Sequence, residues 1–201
     1  MTTHPPLPPP HPPHPRITRR ETIAVGKKYD CVRLHFEHPS GKHATREMVR
    51  HPGAVVVVPA LPDGRIVMMK IFRIAVNDWV WECCAGTIER PRLPDESFGQ
   101  GEDPALCASR ELIEETGYKP GKISPIATFY TTPGLTDERM HAFFASDLSF
   151  VGQKLEEDEY IQVQLLHPTQ VWEMVQSGQI ADAKTLTALL LAARQGLIRS
   201  A

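Results

Sequence analysis

Three glutamates within five residues, Glu111, Glu114 and Glu115, constrain this chain more than any other feature. They belong to the segment R-E-L-I-E-E-T-G-Y, Arg110 to Tyr118. Spacings of i, i+3 and i+4 place all three on one face of a helix. Crowded carboxylates repel, so a cation belongs between them, and an all-oxygen set suits a hard divalent ion, Mg²⁺ first and Mn²⁺ as its substitute. The plain alternative is a solvated acidic face. Against it stand Arg110, directly before the cluster, and Gly117, placed where a left-handed helix cap belongs. The helix is predicted over Pro104–Thr116, with Asp103 or Glu102 as its N-cap and Leu106, Ala108, Leu112 and Ile113 as its apolar positions.

Around this helix the chain reads as strands and helices without strict alternation. The run H-P-P-L-P-P-P-H-P-P-H-P at 4–15 lacks too many N–H groups for helix or sheet, which predicts a polyproline or disordered tail over 1–16. Hydrophobicity alternates from Tyr29 to Phe36, Pro39 to Lys42 supplies a turn, and His43 to Val49 returns, beginning from about Glu21. Residues 17–51 are therefore expected to form a small antiparallel sheet. Ala54–Pro59, Ile66–Arg73 and Trp79–Cys84 read as three strands, followed by strands at Ile126–Tyr130, Met140–Ala145 and Tyr160–Leu166. Two helices follow, Pro168–Ser177, ended by Gly178, and one from about Ala183 to Arg194. This mixture predicts an α/β sandwich with a mixed sheet over 52–198.

A formal net charge of −2 argues against nucleic acid or a membrane surface as a partner. No apolar run approaches the ~20 residues of a membrane span, and the N-terminus lacks the basic and apolar regions of a secretory signal. Cys31, Cys83, Cys84 and Cys107 show no metal-ligand spacing, and adjacent Cys83 and Cys84 would point to opposite faces of a strand. Reduced thiols and a cytoplasmic location are the expectation.

The stretch from Gly86 to Tyr118 resembles the Nudix box: a glycine, five residues, a glutamate, seven residues, then R-E-U-x-E-E-x-G-U, with U bulky and apolar. Glu102, Arg110, Glu111, Leu112, Glu114, Glu115 and Gly117 match its back half without a gap. The front half departs from it, because Glu102 sits sixteen residues after Gly86 instead of six. The excess is a Pro-rich polar loop between Glu89 and Gly101, of the kind that surface connections tolerate.

Residues 20–195 resemble the ADP-ribose pyrophosphatase branch of the Nudix hydrolases. The resemblance rests on Ile71-Phe72-Arg73, W-V-W-E-C-C-A-G from Trp79, T-P-G-L-T-D-E-R at 132–139, E-D-E-Y-I-Q-V at 157–163 and A-D-A-K-T-L-T-A-L-L-L at 181–191. It implies a Nudix-type α/β/α sandwich with a mixed sheet, preceded by a small antiparallel N-terminal sheet. It also implies Mg²⁺-dependent hydrolysis of ADP-ribose or a related nucleoside diphosphate sugar. That chemistry fits the residues independently: a diphosphate needs its charge neutralised and a water activated, which a carboxylate-held divalent ion provides. By the same resemblance Glu111, Glu114 and Glu115 hold metal, with the Ala85 carbonyl and Glu159 as further ligands. Glu102 pairs with Arg110, and Glu157 is the general base, with Glu156 and Asp158 as rivals. The substrate contacts implied are Arg73 for a phosphate, Glu82 and Glu138 for ribose hydroxyls or the base, Gly86, Pro133, and the partner subunit's Arg46 in a homodimer. GDP-mannose or a UDP-sugar is the alternative substrate. A non-catalytic nucleotide-sugar sensor is the alternative of another class, but such modules tend to lose box glutamates, and here all four stand.

Overall fold

The structure, a computed structural model, describes residues 13–94, 97–157 and 159–199. Most of the proline-rich tail, and the rival base Asp158, lie outside the described residues. The chain divides into two compact units after Arg50.

In the first unit β1 (Arg16–Val25), β2 (Asp30–Glu37) and β3 (His43–Arg50) form an antiparallel sheet with β2 in the middle. The β1 strand starts at Arg16, ahead of the expected Glu21; its charged, almost wholly exposed sequence carries little alternation. Arg50 lies opposite Asp30 in the β2–β3 register and donates to its fully buried carboxylate from Nε and Nη2, at 3.0 and 2.6 Å.

The second unit begins with β4 (Ala54–Pro59), β5 (Ile66–Arg73), β6 (Asp78–Glu82) and β7 (Cys84–Thr87). Next come α1 (Pro104–Thr116), β8 (Tyr118–Lys119), β9 (Lys122–Tyr130), β10 (Arg139–Ser146) and β11 (Ser149–Phe150). It closes with β12 (Ile161–Leu166), α2 (Pro168–Gln176) and α3 (Ala183–Arg194). The larger sheet has the order β7-β4-β10-β9; β4 and β10 run parallel and the outer pairs antiparallel. A strand buried on both faces reads as a continuous apolar run, which is why β4 is A-V-V-V-V-P. On one face Val55 and Val57 join Cys107, Ala108 and Leu112 of α1. On the other Ala54, Val56 and Val58 join Val171 and Trp172 of α2 and Ala188, Leu189 and Ala192 of α3. The mixed sheet is thus sandwiched between helices, as the sequence predicts. Beside it lies a three-stranded antiparallel sheet, β12-β5-β6.

The single strand expected over Trp79–Cys84 is instead two. The chain leaves the smaller sheet after Glu82 and enters the larger one at Cys84. Cys83 makes the transfer, and its N–H, without a ladder partner, donates to Thr185 Oγ1 of α3 at 2.9 Å. Its side chain joins the α2–α3 core, whereas that of Cys84 joins the α1 core. Leu106 also departs from expectation, being 68% exposed on α1.

The loop between Glu89 and Gly101 is closed at its base. Glu89 N–H donates to Glu102 Oε1 and Glu102 N–H to the Glu89 carbonyl, both at 3.0 Å. Within it Leu93 N–H donates to the Ser97 carbonyl, Gly99 N–H donates to the Pro91 carbonyl, and the Arg92 guanidinium lies 4.2 Å from the Phe98 ring centroid. Among the described residues no helix is long and apolar enough to cross a membrane.

The strand transfer at Cys83 depends on one side-chain oxygen. Replacing Thr185 by Val keeps the shape but strands a buried N–H, and should cost about 1–3 kcal/mol. Urea unfolding would register this as a lower midpoint with an unchanged slope.

Candidate active site

The helix α1 is fixed at both ends. Asp103 caps its start, accepting from Ala105 N–H at 2.7 Å and Leu106 N–H at 3.3 Å, with Pro104 in the first turn. Gly117 ends it with φ +77°, and its N–H donates to the Ile113 carbonyl. Even a methyl group at Gly117 would come within 2.9 Å of Gln153 N and Gly152 C, so both the conformation and the space require glycine. The remaining carbonyls of the last turn are met by the segment after β11. Lys154 N–H donates to Glu114 O, the Gln153 side-chain amide to Glu115 O, and Val151 N–H to Gly117 O, at 2.9, 2.6 and 2.8 Å. That segment continues into the acidic loop of Glu156, Glu157 and Glu159, so the helix end anchors the loop.

Along α1 the carboxylates gather around one guanidinium. Arg110 Nη1 lies 2.9 Å from Glu111 Oε1 and 2.9 Å from Glu114 Oε2, and Nη2 lies 2.8 Å from Glu102 Oε1. Arg110 Nε is buried and has no hydrogen-bond partner among the described residues. Glu102 therefore serves two ends, Arg110 and the base of the loop. Glu111 lies against the backbone of Gly86, where a Cβ would fall 1.9 Å from the Glu111 carboxyl carbon. Glu115 is 5% exposed, and its Oε2 accepts from Ala85 N–H at 3.1 Å.

The electrostatics follow from this crowding. Burial pushes the Glu115 carboxyl up to about 8; the Cys84 thiol and Ala85 N–H partly offset this, while Glu111 and Glu159 add to it. Burial also raises Glu111, with Arg110 opposing and Glu114 and Glu159 adding. Burial works against the Arg110 charge, but Glu102 and Glu111 outweigh it and hold the guanidinium above its ordinary value. Desolvation keeps Cys84 and Cys107 protonated, so neither thiol competes as an anionic ligand. Among the described residues no three His, Cys, Asp or Glu side chains stand in place to hold an ion as they are; Glu111 and Glu114 are both turned to Arg110. The donor set nevertheless fits a hard divalent cation. It consists of carboxylate oxygens in excess over cations, one of them driven towards protonation by burial.

The other predicted residues fall in four places. Arg73 and Glu82 form a bidentate pair, Nε to Oε1 and Nη2 to Oε2, both at 2.7 Å. Glu82 is 2% exposed and also receives Lys184 Nζ. Burial would raise its carboxyl, but Arg73 and Lys184 outweigh burial and hold it below the usual range. Pro133 is exposed in the loop before β10, which Glu138 organises by accepting from Thr131 Oγ1 at 2.5 Å and donating its N–H to Thr136 Oγ1. His51 secures the same loop through its backbone, its N–H donating to Asp137 Oδ1 at 2.8 Å, while its ring Nδ1 faces inward to the main chain. That Nδ1 accepts Gly53 N–H at 3.1 Å, which fixes it as the unprotonated nitrogen. Glu157 is exposed; Glu159 is half-buried, and its carboxylate accepts from Glu156 N–H at 3.0 Å. Arg46 is exposed on β3, in the other unit.

His51 and Lys184 are absent from the sequence reading. Nothing around His51 marks it. Lys184 did carry a signal, since a lysine two residues after the N-cap Asp182 opposes the helix dipole.

The Glu115 shift gives a pH dependence to the metal-free protein. Its folded value, about 8, lies above the ordinary 4.5, so the folded state binds the proton more tightly. The contribution is fully present below the ordinary carboxylate value and is lost as pH rises through 8. Chemical denaturation without metal should show stability falling across that window, and Glu115→Gln should flatten the fall.

The NUDIX domain family matches residues 49–189. The chain is 39% identical over 172 residues to an ADP-ribose pyrophosphatase of Bacillus subtilis, spanning 85% of this chain and 88% of that one. It is 31% identical to a GDP-mannose pyrophosphatase of Salmonella typhimurium, over 74% of this chain and 76% of the relative. Its fold is similar to the crystal structure of an ADP compounds hydrolase, with a TM-score of 0.75, 20% identity, and coverage of 93% and 97% of the two chains. The family match over residues 49–189 and the 39% identity to the Bacillus subtilis enzyme over 85% of this chain make the chain a member of the Nudix hydrolase family.

Proposed function

We propose that the protein hydrolyses the pyrophosphate of ADP-ribose, with Mg²⁺, to AMP and ribose 5-phosphate. The carrying observation is the α1 carboxylate cluster closed over Ala85 and Gly86, and the 39% identity to the Bacillus subtilis ADP-ribose pyrophosphatase supports the substrate. Nudix hydrolases generally use divalent ions. Here Glu111, Glu114 and Glu115 would hold the metal, with the Ala85 carbonyl and Glu159. When bound, the ion supplies charge neutralisation for the diphosphate and acidifies a water.

The chain's own residues do the rest. Glu102 keeps Arg110 along the helix, and Arg110 keeps Glu111 and Glu114 extended. The outer edge of Arg73 binds phosphate, and Glu138 accepts from ribose hydroxyls or the base, beside Gly86 and Pro133; Glu82, expected to do the same, is instead buried with both oxygens filled by Arg73 and Lys184, so it holds Arg73 and does not touch substrate. Glu157, on the loop anchored to the end of α1, takes the proton from the attacking water. One bridging P–O bond breaks and each phosphate leaves as a monoester. In the proposed organisation residues 52–198 form the hydrolase domain, and 17–51 form a dimerisation unit that brings in the partner subunit's Arg46. The 1–16 tail is accessory, and the setting is cytoplasmic. The relation to the Salmonella typhimurium enzyme supports GDP-mannose as a second substrate reading.

Turnover of a nucleoside diphosphate sugar panel with Mg²⁺, read as phosphomonoester release, tests this. ADP-ribose should be preferred, and Glu114→Gln should abolish turnover. Preference for GDP-mannose would move the specificity, and binding without turnover would make the protein a sensor. Replacing Glu157 by Gln should lower kcat by about 10²–10⁴-fold with folding intact; full activity would exclude it as the base.

A further inference from the structure

The buried ion network at the start of α3 holds a residue that the helix itself does not favour. Lys184 sits in the first turn of α3, two residues after the N-cap Asp182. A cation there faces the positive end of the helix dipole, and its side chain is only 16% exposed, so it is also largely desolvated. Local preference and burial both disfavour it. Its Nζ reaches two carboxylates, Glu82 Oε2 and Asp182 Oδ1, the latter at 3.0 Å. Asp182 Oδ2 already caps the helix by accepting Thr185 N–H at 2.9 Å, so the cap does not need the lysine.

The consequence falls on Arg73. Its Nε and Nη2 are committed to Glu82, while its side chain remains 41% exposed, so the Nη1 edge is the part left for a ligand. Glu82, then Glu115 and then Asp182, are the negative charges that Arg73 senses. With Lys184 in place, two cations balance Glu82 and Asp182. Without it, one guanidinium would face both carboxylates, and the surroundings of its outer edge would turn net negative. Such an edge would repel a diphosphate.

We infer that Lys184 is a positioning residue for binding the substrate diphosphate: by sharing the Glu82 carboxylate, it leaves the outer edge of Arg73 electropositive and aimed outward. The inference rests on the reading of Arg73 as a phosphate contact. Lys184 itself touches no substrate.

Steady-state kinetics on the full chain with ADP-ribose and Mg²⁺ test it, with ADP as a competitive probe. Lys184→Met should raise KM and the ADP inhibition constant together by roughly tenfold, with kcat within about twofold of the parent. Lys184→Arg should restore both. Should Lys184→Met fail to fold, Lys184→Gln, which keeps a donor but no charge, carries the same expectation. In an Arg73→Ala background the Lys184 substitution should change KM no further, because its effect passes through Arg73. An unchanged KM in the single variant, or an equal further loss in the Arg73→Ala background, overturns the inference. Arg73→Ala with an unchanged KM instead removes the phosphate contact itself. The two failures are therefore distinct.

Discussion

An excess of carboxylates over cations on a single helix face governs the second unit. Glu102, Glu111 and Glu114 converge on Arg110, while Glu115 is buried beyond its reach, against the amide of Ala85. Such a cluster would disperse on a helix free to fray or turn. The neighbouring structure prevents that. Asp103 fixes one end, Gly117 and the 151–154 segment fix the other, and Leu112, Cys107 and Ala108 seat the helix on β4. Part of the folding energy is thereby spent holding like charges together, a local conflict of the kind found where a protein binds or reacts.

The opposite face of the sheet has a matching task. Ala85 and Gly86 receive the carboxylates of α1 from one side, and the position of their strand is set from the other, where α3 takes the free amide of Cys83. The same turn of α3 sends Lys184 to Glu82. Both layers of the sandwich thus meet at one short stretch, Glu82 to Gly86. The sheet between them is parallel at its centre, and its strand β4, packed on both layers, is wholly apolar, so that strand transmits position through packing alone.

What could be read from the sequence followed from locality. The bounds of α1 are legible because capping residues lie within a few positions of what they cap, and the glutamate spacing is a property of the helix alone. The strand break at Cys83 was not legible. No glycine or proline marks it, and its cause is a threonine 102 residues away. The pairing of Arg73 with Glu82 is not legible from the hairpin, whose register sets Arg73 opposite Asp78 and Glu82 opposite Met69, and the third member, Lys184, comes from the far end of the chain. The exposure of Leu106 is not legible either, because period alone cannot tell which flank of a helix stripe meets the sheet. The β8–β11 pair, two residues on each side, is too short to leave any pattern.

The reciprocal bonds between Glu89 and Glu102 separate geometry from length. Everything distal to them hangs from two adjacent anchor points, and everything proximal is already tied through Glu102 to Arg110. A hairpin mounted in this way behaves as an interchangeable cartridge. Its outer part can change in length while Asp103 and Gly117 keep the register of α1. The same mounting makes it a natural graft site, provided that new sequence preserves the two glutamates at its feet and the close-packed Gly101 beside them.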